Sequence, residues 1–205
     1  MADEKAALVI GAGAASGRFE EAIARFDAAH AKDPEKDASG QPAELVYAQR
    51  MSGWLAKLAP DASEALRLAV RCQHIRRWAI RRSDYPEGVA GYRKWRVDEA
   101  NSHALTAGEI LAQTGYDEAT AQRVQSLLRK EQLKQDPEAQ LLEDVICLVF
   151  LENYFAQFAQ KHDEVKLVEI LRKTWRKMSP KGHEAALGLT LPAPLRAIVE
   201  KALAA

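Results

Sequence analysis

The run "CQHIRRWAIRRSDYP" places one imidazole, His74, just ahead of four guanidiniums, Arg76, Arg77, Arg81 and Arg82. On a helix, Arg77 falls on the face of His74 three residues earlier, and Arg81 returns to that face only if the helix persists. Guanidinium forks offer planar, bidentate donors, so the cluster suits a phosphate or a carboxylate. The plainer reading is a solvated basic helix end whose cations complement the helix dipole. The segment 81–98 that follows, "RRSDYPEGVAGYRKWRVD", brings Tyr85, Tyr92 and Trp95 alongside. That favours a ligand pocket over a bare surface.

A second constellation is the adjacent pair Glu143 and Asp144 at the entrance to the very apolar stretch "LLEDVICLVFLE". Buried carboxylates need a cation, hydrogen-bond donors or a metal. Pairing with the arginines of the first segment and a role as metal ligand or general base are both open. His103, in "NSHALTAGEIL", is either a capping or packing residue near a helix start, or the third member of a cluster with His74 and Asp144. Lys173, Trp175, Arg176, Lys177, Ser179 and Lys181 form a basic stretch that reads as a solvated helix face. The chain shows no Ser/His/Asp signature, no P-loop, no CxxC and no HExxH.

At the N-terminus, "ALVIGAGAASGRF" imitates a strand, a glycine turn and a helix, the opening of a dinucleotide site. No second strand follows it, and a Rossmann domain requires alternating strands and helices. Asp27, near the distance of a ribose-binding acid, falls on a helical pattern. The expectation is therefore no dinucleotide cofactor and a flexible N-terminal arm over residues 1–17.

Among 205 residues, 29 Lys and Arg balance 29 Asp and Glu, which gives no electrostatic case for nucleic acid as a partner. No stretch reaches the length of a membrane span. Cys72 and Cys147 both lie in apolar helical patterns and read as reduced, buried thiols of a cytoplasmic protein.

From residue 18 to 205 helical periodicity predicts a single all-helical domain. Helices are expected around Phe19–Phe26, after Pro42, after Asp61 or Ser63, from Asn101 or Ser102 to Gly115, and from Asp117. Others are expected after Asp136-Pro137, over 163–177, and after Pro192 or Pro194. Residues 81–98 read as a long irregular segment, of the kind that often carries function.

The motifs "ELVYAQRMSGWL", "QHIRRWAIRRSDYP", "GYRKWR", "LEDVICLVFLENYF" and "KTWRKMS" resemble the family called domain of unknown function 4202, over roughly residues 18–203. That resemblance implies no activity, and Arg81 stands where a proline is expected. A weaker resemblance is to the HD-domain superfamily of all-helical, metal-dependent phosphohydrolases. It rests on Arg50-Met51, "EALRLAVRCQHI", His103 opening a helix, and an aspartate on a later core helix. It implies a divalent metal (Mn, Mg, Fe or Ni) held by His74, His103 and Asp144. The site would be degenerate: Gln73-His74 stands where His-Asp is expected, Tyr47 replaces the first histidine, and Lys130 or Glu131 lies near a later one.

Together these readings lead to an HD-like helical bundle and a small enzyme acting on a phosphorylated or nucleotide-like anion. His74, His103, Glu143 and Asp144 form the reacting centre. Arg50, Arg77, Arg82 and Lys177 hold the anionic group, and Tyr85, Tyr92 and Trp95 wall the cleft. The rival class is a non-catalytic ligand-binding or regulatory protein with a degenerate pocket. Self-association is left open.

Overall fold

Helices account for the regular structure because the apolar residues recur at three- and four-residue spacing and the breaks carry capping residues. The structure is a computed structural model and describes residues 17–203. The glycine-rich stretch Ala7–Ser16 and nearly all of the expected N-terminal arm lie outside the described residues. No strand is found among the described residues, and the fold is all-α. None of these helices is long and apolar enough to cross a membrane.

The chain divides into two compact units, one up to Glu131 and the other from Gln132. The first holds α1 (17–30), α2 (Ala43–Leu58), α3 (Glu64–Cys72), α4 (Gly88–Gln113) and α5 (Glu118–Arg129). Two short 3₁₀ turns, Arg77–Ala79 and Arg82–Asp84, lie between α3 and α4. Ser63 caps α3 by accepting from the Leu66 N–H, and Asp117 caps α5 by accepting from Thr120. Helix α3 packs against α2 and α5, and α4 runs along α5. Asp27 of α1, the residue at the ribose-acid distance, lies on a helix and is bound bidentately by Arg71 at 2.6 Å.

The loop before α2 has a structural task. Pro42 offers α2 no side-chain cap, and Asp33, buried in the preceding loop, supplies one instead. Its carboxylate accepts from the backbone N–H of Glu35 at 3.0 Å and of Glu44 at 2.9 Å. The first turn of α2 is thereby pinned, and with it the Glu44 side chain.

The irregular segment expected over 81–98 ends at Glu87, and α4 starts at Gly88 rather than at Asn101 or Ser102. The reason lies in the buried stripe of α4: Gly91, Trp95, Glu99, His103, Ala107 and Leu111, each four residues after the last. Two of these six are polar, so the stripe does not stand out as an apolar pattern. Gly91 is required by close approach, since a Cβ there would lie 1.9 Å from the Pro86 carbonyl oxygen. At the other end, Gly115 follows the helix at φ +76°, the left-handed cap its residue type predicts.

The second unit contains α6 (Pro137–Asn153), α7 (Phe155–Ala159), α8 (Glu164–Trp175), α9 (Pro180–Leu187) and α10 (Ala193–Leu203). Helix α6 is its core, burying Leu142, Val145, Leu148 and Val149 completely. It packs on α7 and α9, and α8 packs on α10. Helix α9 is not among the helices expected from the sequence. Cys72 and Cys147 are buried thiols, and neither forms a disulfide.

Two glycine substitutions have opposite expected signs. Gly91→Ala forces α4 off the Pro86 backbone and costs about 1–3 kcal/mol. Gly53→Ala, in an exposed turn of α2 with open space around it, stabilises by about 0.4–1 kcal/mol. Chemical denaturation of both variants measures this, and a stabilised Gly91→Ala would contradict the close approach.

Candidate functional site

Helix α3 ends at Cys72, and the chain turns over Gln73–Ile75 into Arg76, which adopts the left-handed conformation at φ +55°. A non-glycine residue in that region is strained and held in place by its surroundings. The turn sends Arg77 back over His74, with Nη1 3.3 Å from both ring nitrogens. The helix does not persist to Arg81, which opens the second 3₁₀ turn and lies exposed.

His74 is buried and stacks on Tyr47 of α2, the ring centroids 4.2 Å apart and the planes 12° from parallel. The Tyr47 hydroxyl donates to the Gln73 side-chain carbonyl at 3.2 Å. His74 Nδ1 lies 3.1 Å from Glu44 Oε2. Arginine only donates, so with Glu44 ionised the ring carries its proton on Nδ1 toward Glu44 and accepts from Arg77 at Nε2. Burial, reinforced by the Arg77 charge, holds His74 well below the usual histidine range. Burial likewise raises Glu44 to about 7, against the pull of Arg77.

The stripe of α4 faces this turn. Glu99, side chain 1% exposed, sits between Arg77 Nε at 3.3 Å and Arg96 Nη1 at 3.0 Å. Its carboxyl is raised by burial despite both guanidiniums. One turn on, His103 Nδ1 lies 2.7 Å from the Ile75 carbonyl oxygen, which can only accept, so Nδ1 carries the proton. His103 Nε2 is then a bare lone pair, and among the described residues it has no hydrogen-bond partner. Burial lowers the ring to about 4, the Arg77 and Arg96 charges adding to the effect. The two imidazole centroids are 6.1 Å apart.

These groups border a cavity of about 260 Å³. Its wall is Gln73, His74, Arg96, Glu99, Asn101, His103, Arg129 and Lys130, with Val97, Ala100 and Leu128 as its apolar part. Lys130 ends α5 in the left-handed conformation, φ +56°. Arg77 and Glu44 stand behind the wall and hold it.

The other expected site residues lie elsewhere. Trp95 is buried and donates its indole N–H to the Ile80 carbonyl at 3.1 Å. Arg82 donates to the Tyr85 carbonyl at 2.9 Å, and the Tyr85 hydroxyl donates to Asp98 at 2.8 Å beside Lys94. Tyr92 is half exposed and leans on Trp95. These residues fasten the segment before α4 onto that helix, and Arg50 is half buried on α2. None of them belongs to the cavity wall among its described residues.

Glu143 and Asp144 are buried in the second unit. Lys177 Nζ lies 3.5 Å from Glu143. Asp144 accepts from the Ser179 backbone N–H at 2.8 Å, from the Ser179 hydroxyl, and from the Gln140 amide at 3.2 Å. Ser179 in turn caps α9 by accepting from Gly182 at 3.1 Å. Asp144 thus anchors the start of α9 onto α6. Among the described residues there is no group of three or more His, Cys, Asp or Glu side chains placed to hold a metal ion.

Residues 20–199, most of the chain, match the family model described as "Domain of unknown function (DUF4202)". The chain belongs to the DUF4202 family. No curated protein and no solved structure matches it. For this DUF4202 chain, sequence reasoning named His74, His103 and Arg77 but missed Glu44, Arg96 and Glu99. The four-residue recurrence from Gly91 to Leu111 was the signal that could have found Glu99.

Buried neutral histidines leave a pH signature. The unfolded chain takes up protons near 6.5, whereas folded His103 resists until about 4, so its contribution is lost as pH falls through that window. His30 and His74 act in the same sense. Glu44 and Glu99, raised in the fold, act oppositely: their contribution is present at low pH and, for Glu44, lost as pH rises through about 7. Replacing His103 by Gln removes one such term. The stability gap between wild type and His103→Gln should shrink by about 2 kcal/mol from pH 7 to pH 5. A gap independent of pH in urea titrations would contradict a neutral buried ring.

Proposed function

We propose that this DUF4202 chain is a ligand-binding protein whose first unit holds a phosphorylated, nucleotide-like small molecule in the cavity beside α4 and α5. The observation that carries this is the wall itself: Arg96, Arg129 and Lys130 meet two imidazoles around one cavity. Guanidinium and ammonium groups at a partly enclosed wall suit a phosphoryl group. The apolar patch of Val97, Ala100 and Leu128 suits the remainder of such a molecule. Buried thiols outside any disulfide fit a cytoplasmic setting.

The second reading is a metal-assisted phosphohydrolase of HD-like fold. It is favoured by the bare lone pair of His103 Nε2 next to His74. Of the residues that match the HD pattern in type, His103 lines the wall, whereas Tyr47, Gln73 and Lys130 stand at or directly behind it as departures from that pattern. Binding takes precedence because no group of three or more His, Cys, Asp or Glu is placed to hold a metal among the described residues, and Asp144 already serves Ser179 and Gln140. A turnover screen of phosphate esters and nucleotides with Mn²⁺, Mg²⁺ or Ni²⁺ separates the readings: turnover abolished by His103→Ala would establish the enzyme.

The sharpest test of binding uses Lys130→Gly. Glycine accepts φ +56° without strain, so the change deletes an ammonium and leaves the backbone in place. Affinity for nucleoside monophosphates, measured by calorimetry, should fall about tenfold, the range of one charge-assisted contact. Thermal stability should hold or rise. Unchanged affinity would place the anion elsewhere.

A further inference from the structure

We infer that the second unit carries a binding site for a free apolar α-amino acid such as leucine. The side chain enters a pocket among α6, α8, α9 and α10, the carboxylate meets Arg196, and the ammonium meets Glu200. The inference is independent of the cavity in the first unit.

The pocket holds about 110 Å³ and is lined by residues of the second unit. Its floor is apolar and buried: Leu151, Leu171, Leu189 and Ala202. Leu187, 65% exposed, stands at the rim. The rest of the lining is apolar or aromatic, apart from Thr174, Arg196 and Glu200. Arg196 and Glu200 line the pocket and are exposed, so these two charges belong to its mouth. An apolar pocket with a few convergent polar groups is the usual form of a small-molecule site.

The placement of the two charges on α10 is what points to the ligand. Arg196 lies in the first turn of Ala193–Leu203, and Glu200 lies in the last. The helix dipole disfavours a cation at the first and an anion at the second. They stand four residues apart with the cation first, the order that gives the weaker helix pair. Neither has an ion pair or a side-chain hydrogen bond among the described residues. Neither charge therefore serves the helix that carries it. Side chains four residues apart are neighbours on a helix surface, so both heads can reach one small zwitterion. With its carboxylate toward Arg196 and its ammonium toward Glu200, that zwitterion also lies in the favourable sense along the helix dipole. An α-amino acid holds the two charges on one carbon, and an apolar side chain is the group the pocket takes.

The test is calorimetry on the full chain at pH 7 with L-leucine and two analogues. They are 4-methylpentanoate, which lacks the ammonium, and 3-methylbutylamine, which lacks the carboxylate. Leucine should bind about tenfold more tightly than either, the range of one charge-assisted contact. Arg196→Gln should weaken leucine about tenfold and leave the amine unchanged. Glu200→Gln should weaken leucine and leave 4-methylpentanoate unchanged. Both substitutions fall on exposed side chains without partners among the described residues, so the fold is kept. Equal binding of leucine and its two analogues overturns the inference and leaves a plain apolar pocket. N-acetyl-leucine amide binding as tightly as leucine also overturns it, and makes the pocket a seat for a leucine of a protein partner. Glycine binding as tightly as leucine overturns the role of the pocket, and binding by none of these probes overturns the whole inference.

Discussion

Burying the Glu99 carboxylate inside a helical stripe is the constraint from which the first unit is built. A carboxylate at that depth requires cations, and Arg96 one turn earlier supplies only one of them. The other, Arg77, comes from a different segment, and the left-handed Arg76 brings it there. The same turn lays Arg77 over His74 and presents the Ile75 carbonyl to His103. One strained residue thus organises the contacts of two histidines and a buried acid. Nature tolerates such strain where the surroundings over-determine it, and here three helices and a loop converge to do so.

The consequence is an unusual polarity at the cavity. Cations surround imidazoles that burial keeps uncharged, and buried acids behind them sit above their ordinary range. Positive charge therefore comes from guanidinium and ammonium groups, and the buried imidazoles add none near neutral pH. The second unit makes a contrasting use of a buried acid: Asp144 is spent on the start of α9, so its burial is structural.

Much of the helical frame was legible from punctuation. Asp117 and Asp136-Pro137 cap the helices they are expected to open, and of Asp61 and Ser63 it is Ser63 that caps α3, because a side chain capping its own first turn is a local event. The second half of α4 was legible, but its first half, from Gly88, escaped because Gly91 and Glu99 occupy buried positions where a reader expects large apolar residues. Helix α9 escaped because it is short, although Ser179-Pro180 is a sound start signal. Of the site, the His74–Arg77 proximity was legible since it spans three residues. The pairings Glu44–His74, Arg77–Glu99 and His103–Ile75 span twenty-two residues or more, and no local rule announces them.

The central claim is that His103 is a neutral ring, protonated on Nδ1 toward the Ile75 carbonyl, whose buried Nε2 has no hydrogen-bond partner among the described residues. Long-range ¹H–¹⁵N correlation spectra of the histidine rings report tautomer and titration together. The account predicts that His103 shows the Nδ1–H tautomer at pH 7 and titrates near 4. An Nε2–H tautomer, or titration near the ordinary value of about 6.5, would contradict it.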